Sequence, residues 1–429
     1  MAPKEHRRSL SPVKAIVAKE ELKSSQGSLL KRVGPAGEFV QRSSRPRRGK
    51  KRKRADGEEA LPLEKQALHT PWLALLGVTE YESKEQRLHD EIVAYAGYIL
   101  PTPQEIEVRK VVSARVEGVV KRRFRDAQVH TYGSACTNLS LPHGDVDLVI
   151  ETKYVVTAED KKSALYQLRG RLRNDGIASD IQVNARARVP VLDLVSTPQS
   201  GSVNVDVTIN GADGPKAIDI INDYLKRMPA LRPLILVLKG LLQQHNLHSA
   251  ATSGLSSYAV TCMVINFLQR NPTDRPKEFF ENPIQFEAMG HLLMDFLKYY
   301  SSDFPYSTSY ISVRNASIPS KESKGWVDEK APERLCIECL INPENDIARA
   351  TGKIKQVRTL FQESYSALQA ATLEHTNYNT LGTILKISQE TIDYRKTVRR
   401  IVDGGSIHRL PVTNQYSKPR PEYSKRPRY

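Results

Sequence analysis

Cysteine is scarce in this sequence, and long apolar runs are absent from it. Four cysteines in 429 residues argue against the disulfide framework that small secreted proteins use. No apolar run approaches the roughly 20 residues that a bilayer-spanning helix needs, and the first residues lack the apolar centre of a signal peptide. We therefore expect a soluble intracellular protein that is not bound to a membrane, long enough for two or three domains.

The cysteines also lack the spacing of a metal site. Cys336 and Cys339 form a lone C-x-x-C pair, and Cys136 and Cys262 lie far away in the sequence. A structural zinc ion usually needs two further ligands at close spacing. We therefore expect Cys336 and Cys339 to be free thiols in a strand-like segment.

Acidic residues are rare at both ends of the chain. The formal net charge is +16; residues 1–56 contribute +12 and residues 404–429 contribute +5, which leaves residues 57–403 at about −1. We predict disordered basic tails over residues 1–65 and 404–429, the first of which has few aromatic side chains. Such tails attract a polyanion such as nucleic acid, although solubility or nuclear targeting would explain them as well.

The densest basic run spans residues 45–54. A run of this kind is typical of a nuclear-localisation signal or of a patch that contacts RNA. We therefore expect the protein in the nucleus, including the nucleolus.

The most informative stretch of the chain combines a Gly-Ser turn with two carboxylates. A predicted strand, Gln128–Tyr132, ends at Gly133 and Ser134, and a second strand begins at Asp145 and Asp147. Residues i and i+2 of a strand share a face, so both carboxylates point the same way. They repel each other unless hard cations, which prefer oxygen ligands, lie between them. The turn offers N–H groups and a hydroxyl to phosphate, which together indicates metal-assisted transfer of a nucleotide.

A third carboxylate is expected on a neighbouring strand. Residues 203–209 alternate between apolar and polar side chains, and Asp206 lies on the polar face, turned away from the core. Three carboxylates could hold two divalent ions about 3.5–4 Å apart, as in two-metal catalysis. The simpler alternative is that all three are surface aspartates on half-exposed strands.

Apolar periodicity predicts a small mixed sheet that is backed by helices. In one predicted helix, over residues 104–125, we expect Ile106, Val111, Val112, Val119 and Val120 to face inward. A further strand is predicted over residues 189–194. The other predicted helices cover residues 72–100, 161–174, 231–247, 256–269 and 353–373.

Taken in order, these motifs resemble the nucleotidyltransferase fold of the DNA polymerase β superfamily. The similarity narrows downstream, because residues 234–239, 253–258 and 345–349 follow in the order seen in non-canonical poly(A) polymerases. It is strongest to the catalytic subunits of nuclear TRAMP polyadenylation complexes, and it covers roughly residues 70–400.

The resemblance implies an α+β fold of two lobes with the active site in the cleft between them. One lobe is the nucleotidyltransferase catalytic domain, predicted over residues 106–229. The other is a mostly helical central domain of the poly(A)-polymerase type, with the nucleotide recognition loop, built from residues 66–105 and 230–403.

The resemblance also assigns roles to the residues around the two carboxylates. Asp145, Asp147 and Asp206 would hold two Mg²⁺ (or Mn²⁺) ions. Gly133, Ser134 and Lys239 would hold the triphosphate of ATP, the substrate. From the residues alone, Lys239 could instead extend its ammonium group to water from the edge of an apolar helix.

The remaining nucleotide contacts are implied for the helical domain. Ser257 would contact phosphate, and Tyr258 would stack on the incoming base. The polar positions of the recognition loop would be Asn345, Asp346 and Arg349. Without the resemblance, Ser257 reads as a helix cap, Tyr258 as a core residue, and residues 345–349 as an ordinary capping loop.

Two features of the sequence bear on base selectivity, and they point in different directions. Related uridylyltransferases carry a histidine in the recognition loop, and residues 341–356 contain none, which favours ATP. However, Cys339 stands where family members usually have an Asp that helps to orient the base. A terminal uridylyltransferase and a catalytically weak pseudo-polymerase that scaffolds RNA or partners are therefore the alternatives.

The expected reaction is template-independent addition of AMP to RNA 3′ ends, in nuclear RNA surveillance and exosome-linked decay. The sequence shows no RNA-recognition motif of the RRM or KH type. The resemblance implies a zinc-knuckle RNA-binding protein as partner, with an exosome-associated helicase nearby.

Overall fold

The computed structural model describes residues 68–77, 80–187, 189–211, 213–373 and 379–409. The predicted N-terminal tail, residues 1–65, lies outside the described residues, as do residues 410–429 of the predicted C-terminal tail. Within the described ranges, no helix is both long enough and apolar enough to cross a bilayer.

The described elements are a mixture of helices and strands as far as residue 227 and are mostly helical beyond it. The first part contains β1 (Leu68–His69), α1 (Lys84–Ile99), α2 (Pro103–Arg123), β2 (Gln128–Tyr132), β3 (Val146–Glu151), α3 (Ala158–Asn174), β4 (Ala178–Asn184), β5 (Val191–Ser196), β6 (Asn204–Ile209) and α4 (Asp213–Arg227). The second part contains α5 (Leu231–Gln244), α6 (Ser257–Arg270), α7 (Glu278–Glu281), α8 (Met289–Lys298), α9 (Ile354–Ala370), β7 (Ile387–Ser388) and α10 (Gln389–Asp403).

The break between α1 and α2 follows from the local sequence. Pro103 occupies the first turn of α2, where its missing N–H costs nothing. The Thr102 side chain accepts a hydrogen bond from the backbone N–H of Glu105, and the Glu105 side chain accepts one from the backbone N–H of Thr102. This capping box begins a new helix directly after the first one ends.

Five strands form one mixed sheet in the order β2-β3-β6-β5-β4. The β3–β6 pair is parallel and the other three pairs are antiparallel. The predicted α+β class is therefore confirmed. The register places Asp147 opposite Asp206, and Asp206 opposite Asp193.

The structure corrects three details of the predicted elements. Residues 71–75 form a 3-10 helix, so the first α-helix begins only at Lys84, after the Ser83 cap. Ile106 is 53% exposed, although it was expected to face inward. The strand β4 was not predicted, because it is an edge strand in which Ile181 alone is buried.

The buried residues that the structure describes form two hydrophobic cores, and each core combines elements that are far apart in the sequence. One contains the buried faces of α1, α5, α6 and α8, and α1 contacts both α5 and α8. The other lies between α2, α3 and the sheet, and it also includes Val398 and Ile401 of α10. The predicted domain boundaries stay predictions. Helix α10, which was predicted as part of the helical domain, packs against α2 of the catalytic lobe.

Candidate active site

A cleft of about 740 Å³ opens between the two cores. Its walls come from the end of β2, the start of β3, helices α5 and α6, and the segment 339–347. Eight of the predicted site residues line it: Gly133, Ser134, Asp145, Asp147, Lys239, Ser257, Tyr258 and Asn345. The sheet and the helical lobe therefore both contribute side chains to one cavity.

The sheet places the carboxylates side by side. Asp147 and Asp206 are directly opposite each other on parallel strands, and Asp145 lies two residues before Asp147. Val205 and Val207 on either side of Asp206 are fully buried, whereas Asp206 is half-buried. Asp206 is therefore on the face of β6 that turns away from the hydrophobic core, as the alternation predicted.

The carboxylates interact strongly enough to change how they ionise. Burial, with the negative charge of Asp145, raises the pKa of Asp147 to about 7, although the ammonium of Lys239 opposes this shift. Burial and the charges of Asp145, Asp193 and Asp147 raise the pKa of Asp206 to about 7. Carboxylates with raised pKa values in a cleft are typical of functional sites, and a cation would relieve their repulsion.

The donor chemistry fits a hard divalent cation, which prefers carboxylate oxygens. The described residues nevertheless hold no group of three or more His, Cys, Asp or Glu side chains gathered tightly enough to bind a metal ion. The strand register fixes the backbone positions of Asp147 and Asp206. Closing a ligand set around an ion therefore requires side-chain rotation rather than movement of the sheet.

Gly133 lets the turn lie against a carboxylate. Its φ is +72°, in the left-handed region that glycine tolerates best. A Cβ at this position would overlap the Asp147 carboxylate. The Ser134 carbonyl accepts hydrogen bonds from the Leu139 N–H at 3.1 Å and the Thr137 hydroxyl at 3.2 Å, which keeps the turn closed.

Lys239 faces the carboxylates from the helical lobe. It is only 8% exposed, and its ammonium group donates a hydrogen bond to the Leu139 carbonyl oxygen. Burial lowers the pKa of Lys239 to about 8, although the negative charges of Asp147 and Asp145 oppose the shift. A cation held in this position suits an anionic ligand in the cleft.

Tyr258 connects helix α6 to the segment across the cleft. Ser256 caps the helix by accepting from the Ala259 N–H at 3.2 Å, which leaves Ser257 exposed at the first helical position. The Tyr258 hydroxyl accepts a hydrogen bond from the Leu340 N–H at 3.2 Å and lies 3.7 Å from the Cys339 sulfur. The Cys339 thiol is free, like Cys336, and it lines the cleft.

Asp346 and Arg349 do not line the cleft. The Oδ1 atom of Asp346 accepts from the Ile337 N–H at 3.0 Å and the Ala348 N–H at 2.9 Å, so this carboxylate holds its own loop together. Arg349 is exposed, and both residues line a separate depression of about 490 Å³. Of the three predicted loop positions, the structure brings only Asn345 to the cleft.

Sequence reasoning missed one acidic side chain at the carboxylate cluster and two histidines in the cleft. Asp193 of β5 faces Asp206 across the strand pair, and burial together with Asp145 raises its pKa. The alternation of buried Leu192 and Leu194 around it was the available signal. His143 and His248 also line the cleft, on irregular segments where no periodicity reveals them.

The sheet, its aligned aspartates and the Gly-Ser turn across a cleft from Lys239 define the protein class as a nucleotidyltransferase. Comparison with protein families agrees. Residues 88–226 match the family described as "Poly(A) RNA polymerase, mitochondrial-like, central palm domain". Residues 288–341 match the "Cid1 family poly A polymerase" domain.

Curated relatives define the family more closely. "Poly(A) RNA polymerase CID14" of Cryptococcus neoformans is 33% identical over 393 residues, which are 85% of this chain and 50% of that protein. "Inactive non-canonical poly(A) RNA polymerase protein Trf4-2" of Drosophila melanogaster is 30% identical over 354 residues, 79% of this chain and 83% of that protein. The chain belongs to the non-canonical poly(A) RNA polymerase family, and it spans about half the length of the CID14 protein.

A solved structure shares the architecture. The polymerase core of TRAMP, described as an RNA surveillance complex, superimposes with a TM-score of 0.65 at 25% sequence identity. The match covers 74% of this chain and 99% of that core. The two-lobed fold is therefore that of a polymerase core in this family.

Proposed function

We propose that this chain adds AMP from ATP to RNA 3′ ends without a template. The observation that carries the proposal is the register of the sheet, which aligns Asp206 with Asp147. Asp147, Asp145 and Lys239 line the cleft, and Asp206 lies directly behind this lining on the neighbouring strand. When bound, Mg²⁺ or Mn²⁺ would activate the RNA 3′-hydroxyl and stabilise the leaving pyrophosphate. Asp145, Asp147 and Asp206 would hold these ions.

The other cleft residues would bind and orient the nucleotide. Ser134 and the backbone of the Gly133 turn would donate hydrogen bonds to the β- and γ-phosphates, and Lys239 would balance their charge. Ser257, at the exposed start of α6, would donate to phosphate. The ring of Tyr258 would stack on the base, a contact worth about 1–3 kcal/mol on single strands.

The test is extension of an RNA oligonucleotide with each of the four nucleoside triphosphates in turn. We expect extension with ATP and Mg²⁺, and loss of extension in Asp147→Asn. This substitution removes a charge while it keeps the volume of the side chain. A chain that extends RNA equally well after Asp147→Asn would disprove the mechanism.

Two alternatives rest on specific observations. The Cys339 sulfur lies beside Tyr258 at the proposed base position, which leaves a terminal uridylyltransferase open, and extension with UTP in place of ATP would establish it. The Drosophila relative is named inactive, which supports a pseudo-polymerase scaffold. Calorimetric titration with ATP and Mg²⁺ that shows binding without turnover would favour that alternative, whereas the three retained aspartates favour catalysis.

The same proposal includes localisation to the nucleus. It also includes association with two proteins, a zinc-knuckle RNA-binding protein and an exosome-associated helicase. Similarity to the TRAMP polymerase core and the basic run over residues 45–54 support it. A fluorescent fusion should leave the nucleus when residues 45–54 are deleted. Activity of the isolated chain should be weak and should rise when the zinc-knuckle protein is added; an unchanged rate would contradict the partner proposal.

A further inference from the structure

The C-terminal ends of α2 and α3 lie side by side on the catalytic lobe. The Arg123 Nε atom donates to the Gln167 Oε1 atom at 2.7 Å, and Arg122 pairs with Asp175 just beyond α3. These contacts place the C-terminal end of α2 beside the C-terminal end of α3, and basic residues are concentrated at both helix ends. We call this region the α2–α3 basic surface, formed by Lys121, Arg122, Arg125, Arg169, Arg171 and Arg173.

Local acids neutralise only two of these six charges. Lys121 pairs with Glu117 at 2.6 Å, and Arg122 pairs with Asp175. In the part of the chain that the structure describes, no ion pair is formed by the other four, Arg125, Arg169, Arg171 and Arg173. Because residues 57–403 carry a net charge of about −1, this excess of positive charge is a local feature and not a general property of the folded body.

Helix stability accounts for two of the four unpaired arginines but not for the other two. Basic side chains in the last turn interact favourably with the helix dipole, by about 0.3–1 kcal/mol each, and Arg171 and Arg173 occupy such positions. Arg169 precedes the last turn of α3, and Arg125 lies beyond the end of α2 at Arg123. The dipole therefore gives no reason for these two arginines.

The composition of the surface suits a single-stranded nucleic acid. All four unpaired cations are arginines, whose planar guanidinium groups bind phosphate through paired hydrogen bonds. Tyr166 is 49% exposed and lies three residues before Arg169, on the same face of α3. Positive charge beside an exposed aromatic ring is the combination by which proteins bind single strands without sequence preference.

Helix α2 connects this surface to the cleft. Arg109 of α2 donates hydrogen bonds to the Ser140 hydroxyl at 2.8 Å and the Leu141 carbonyl at 3.1 Å, and Leu141 lines the cleft. Arg123 follows fourteen residues later in the same helix, which places the surface about 21 Å along the helix axis. An extended RNA strand whose 3′ end lies in the cleft can reach this far.

We propose that the α2–α3 basic surface binds the RNA chain upstream of the 3′ end that is being extended. The proposal rests on the proposed adenylyltransferase function. It assigns to the catalytic lobe itself an RNA contact that is separate from the basic tails. The contacts would be made to the phosphate backbone and would not depend on base sequence.

The test compares the full chain with Arg125→Gln/Arg171→Gln/Arg173→Gln, all at exposed positions. RNA affinity is measured by fluorescence anisotropy against salt concentration, with an oligoadenylate of about 20 nucleotides and with a tetranucleotide, since single-strand sites span about 4–16 nucleotides. We expect the triple variant to bind the longer RNA about tenfold more weakly. The slope of log affinity against log salt should fall by up to about 2, at about 0.7 per phosphate contact.

The matched control removes three exposed lysines from the helical lobe: Lys277→Gln/Lys298→Gln/Lys330→Gln. It should keep the affinity and the salt slope of the parent chain. Equal RNA affinities and equal salt slopes for the two triple variants would overturn the proposal. An acidic protein partner would then be the better explanation of the basic surface. A loss of affinity that is as large for the tetranucleotide as for the longer RNA would overturn it as well.

A further variant separates this proposal from the proposed reaction. Asp145→Ala should bind the longer RNA with the parent affinity and should extend none of it. If Asp145→Ala still extends RNA, the adenylyltransferase mechanism fails, whatever the basic surface does. If the arginine variant binds RNA as tightly as the lysine control does, and Asp145→Ala extends no RNA, the surface proposal fails while the adenylyltransferase mechanism stands.

Discussion

Gly133 is the residue whose replacement has the clearest expected effect. In Gly133→Ala, a left-handed backbone costs about 1–2 kcal/mol, and the new methyl group displaces the Asp147 carboxylate. We expect the rate of RNA extension to fall at least about tenfold, which corresponds to 1.4 kcal/mol in the barrier. Steady-state extension kinetics measure this loss, and thermal unfolding measures the backbone strain.

A second glycine provides the control for this prediction. Gly170 lies within α3, and no atom lies within 4 Å of a Cβ added there. Gly170→Ala should therefore keep the extension rate and stabilise the helix by about 0.5–1 kcal/mol. Parent-like extension in Gly133→Ala would show that the turn does not need to approach Asp147.

The carboxylate cluster predicts an unusual dependence of stability on pH. In the folded state the pKa of Asp147 and of Asp206 is raised from 3.8 to about 7. Between about pH 4 and pH 7 the folded protein therefore holds protons that the unfolded chain has released. The stability of the metal-free protein should fall as the pH rises through this window and should stay low above it.

Asp206→Asn tests this dependence, because the amide cannot ionise. In the presence of a chelator, the variant should have a higher Tm than the parent at about pH 8 and an equal Tm at about pH 4. Adding Mg²⁺ at about pH 8 should raise the Tm of the parent more than that of the variant, because a bound ligand stabilises the folded state. A Tm difference that is the same at both pH values would contradict the raised pKa.

The candidate site was predictable where it follows strand periodicity. Asp145, Asp147 and Asp206 stand at i and i+2 positions or on the polar face of an alternating strand, so their shared face can be read from the sequence. Asp193 obeys the same alternation and was overlooked. The contacts of Asp346 with Ile337 and Ala348 depend on how an irregular loop folds back, which no periodicity reports.

At the scale of the elements, helix α6 and the segment over residues 339–347 contact each other and together form one wall of the cleft. Tyr258→Phe keeps the ring but removes the hydroxyl that accepts from the Leu340 N–H. Since such a hydrogen bond is worth about 0.5–1.5 kcal/mol, the KM for ATP should rise about 2- to 10-fold, while kcat changes less. Tyr258→Ala, which also loses the ring, should raise the KM further; equal KM values would exclude base stacking.

The segment over residues 305–335 contains little regular structure and depends on one buried cation. Lys321 is 1% exposed, and its ammonium group donates to the carbonyl oxygens of Tyr306, Pro332 and Arg334 at 2.5–3.0 Å. Lys321→Met leaves three carbonyl groups without this donor, so we expect a loss of about 2–4 kcal/mol in unfolding free energy. Urea unfolding measures it, with the exposed Lys330→Met as control.

The sequence predicts helices and strands best where one face is clearly buried. The strand β2 was predicted with its observed bounds, Gln128–Tyr132, and most helices lie within a few residues of the predicted ranges. Edge strand β4 escaped prediction because four of its seven side chains are exposed and only Ile181 is buried, so it has no clear apolar face. Ile106 fits the apolar period of α2 but faces solvent, since periodicity does not say which elements cover a helix.

At the scale of the whole molecule, the packing of α10 was beyond sequence reasoning. Its hydrogen bond from Arg395 to the Tyr98 carbonyl joins residues 297 positions apart in the chain. Apolar spacing in α10 shows that one face is buried, but it does not show that Val398 and Ile401 enter the catalytic core. Only the folded chain reveals that α10 connects the two lobes.

Arg395 holds together the point where the chain crosses between the lobes. Its guanidinium group donates to the carbonyl oxygens of Tyr98, Ile99 and Leu100 at 2.6–3.0 Å, at the end of α1. It also lies 3.4 Å from the carboxylate of Glu105 in α2. Because the cleft has walls from both lobes, their relative position should depend on this one side chain.

Arg395→Met removes the charge and all four contacts while it keeps an unbranched side chain. We expect faster amide hydrogen exchange over residues 98–106 and a higher KM for ATP, because the lobes hold the cleft less firmly. Arg395→Lys should bring the exchange rates and the KM only part of the way towards the parent values, since an ammonium group lacks the planar fork that reaches several acceptors. Arg399→Met, at an exposed position of the same helix, is the control. If the two methionine variants exchange amides and bind ATP alike, α10 does not couple the lobes through Arg395.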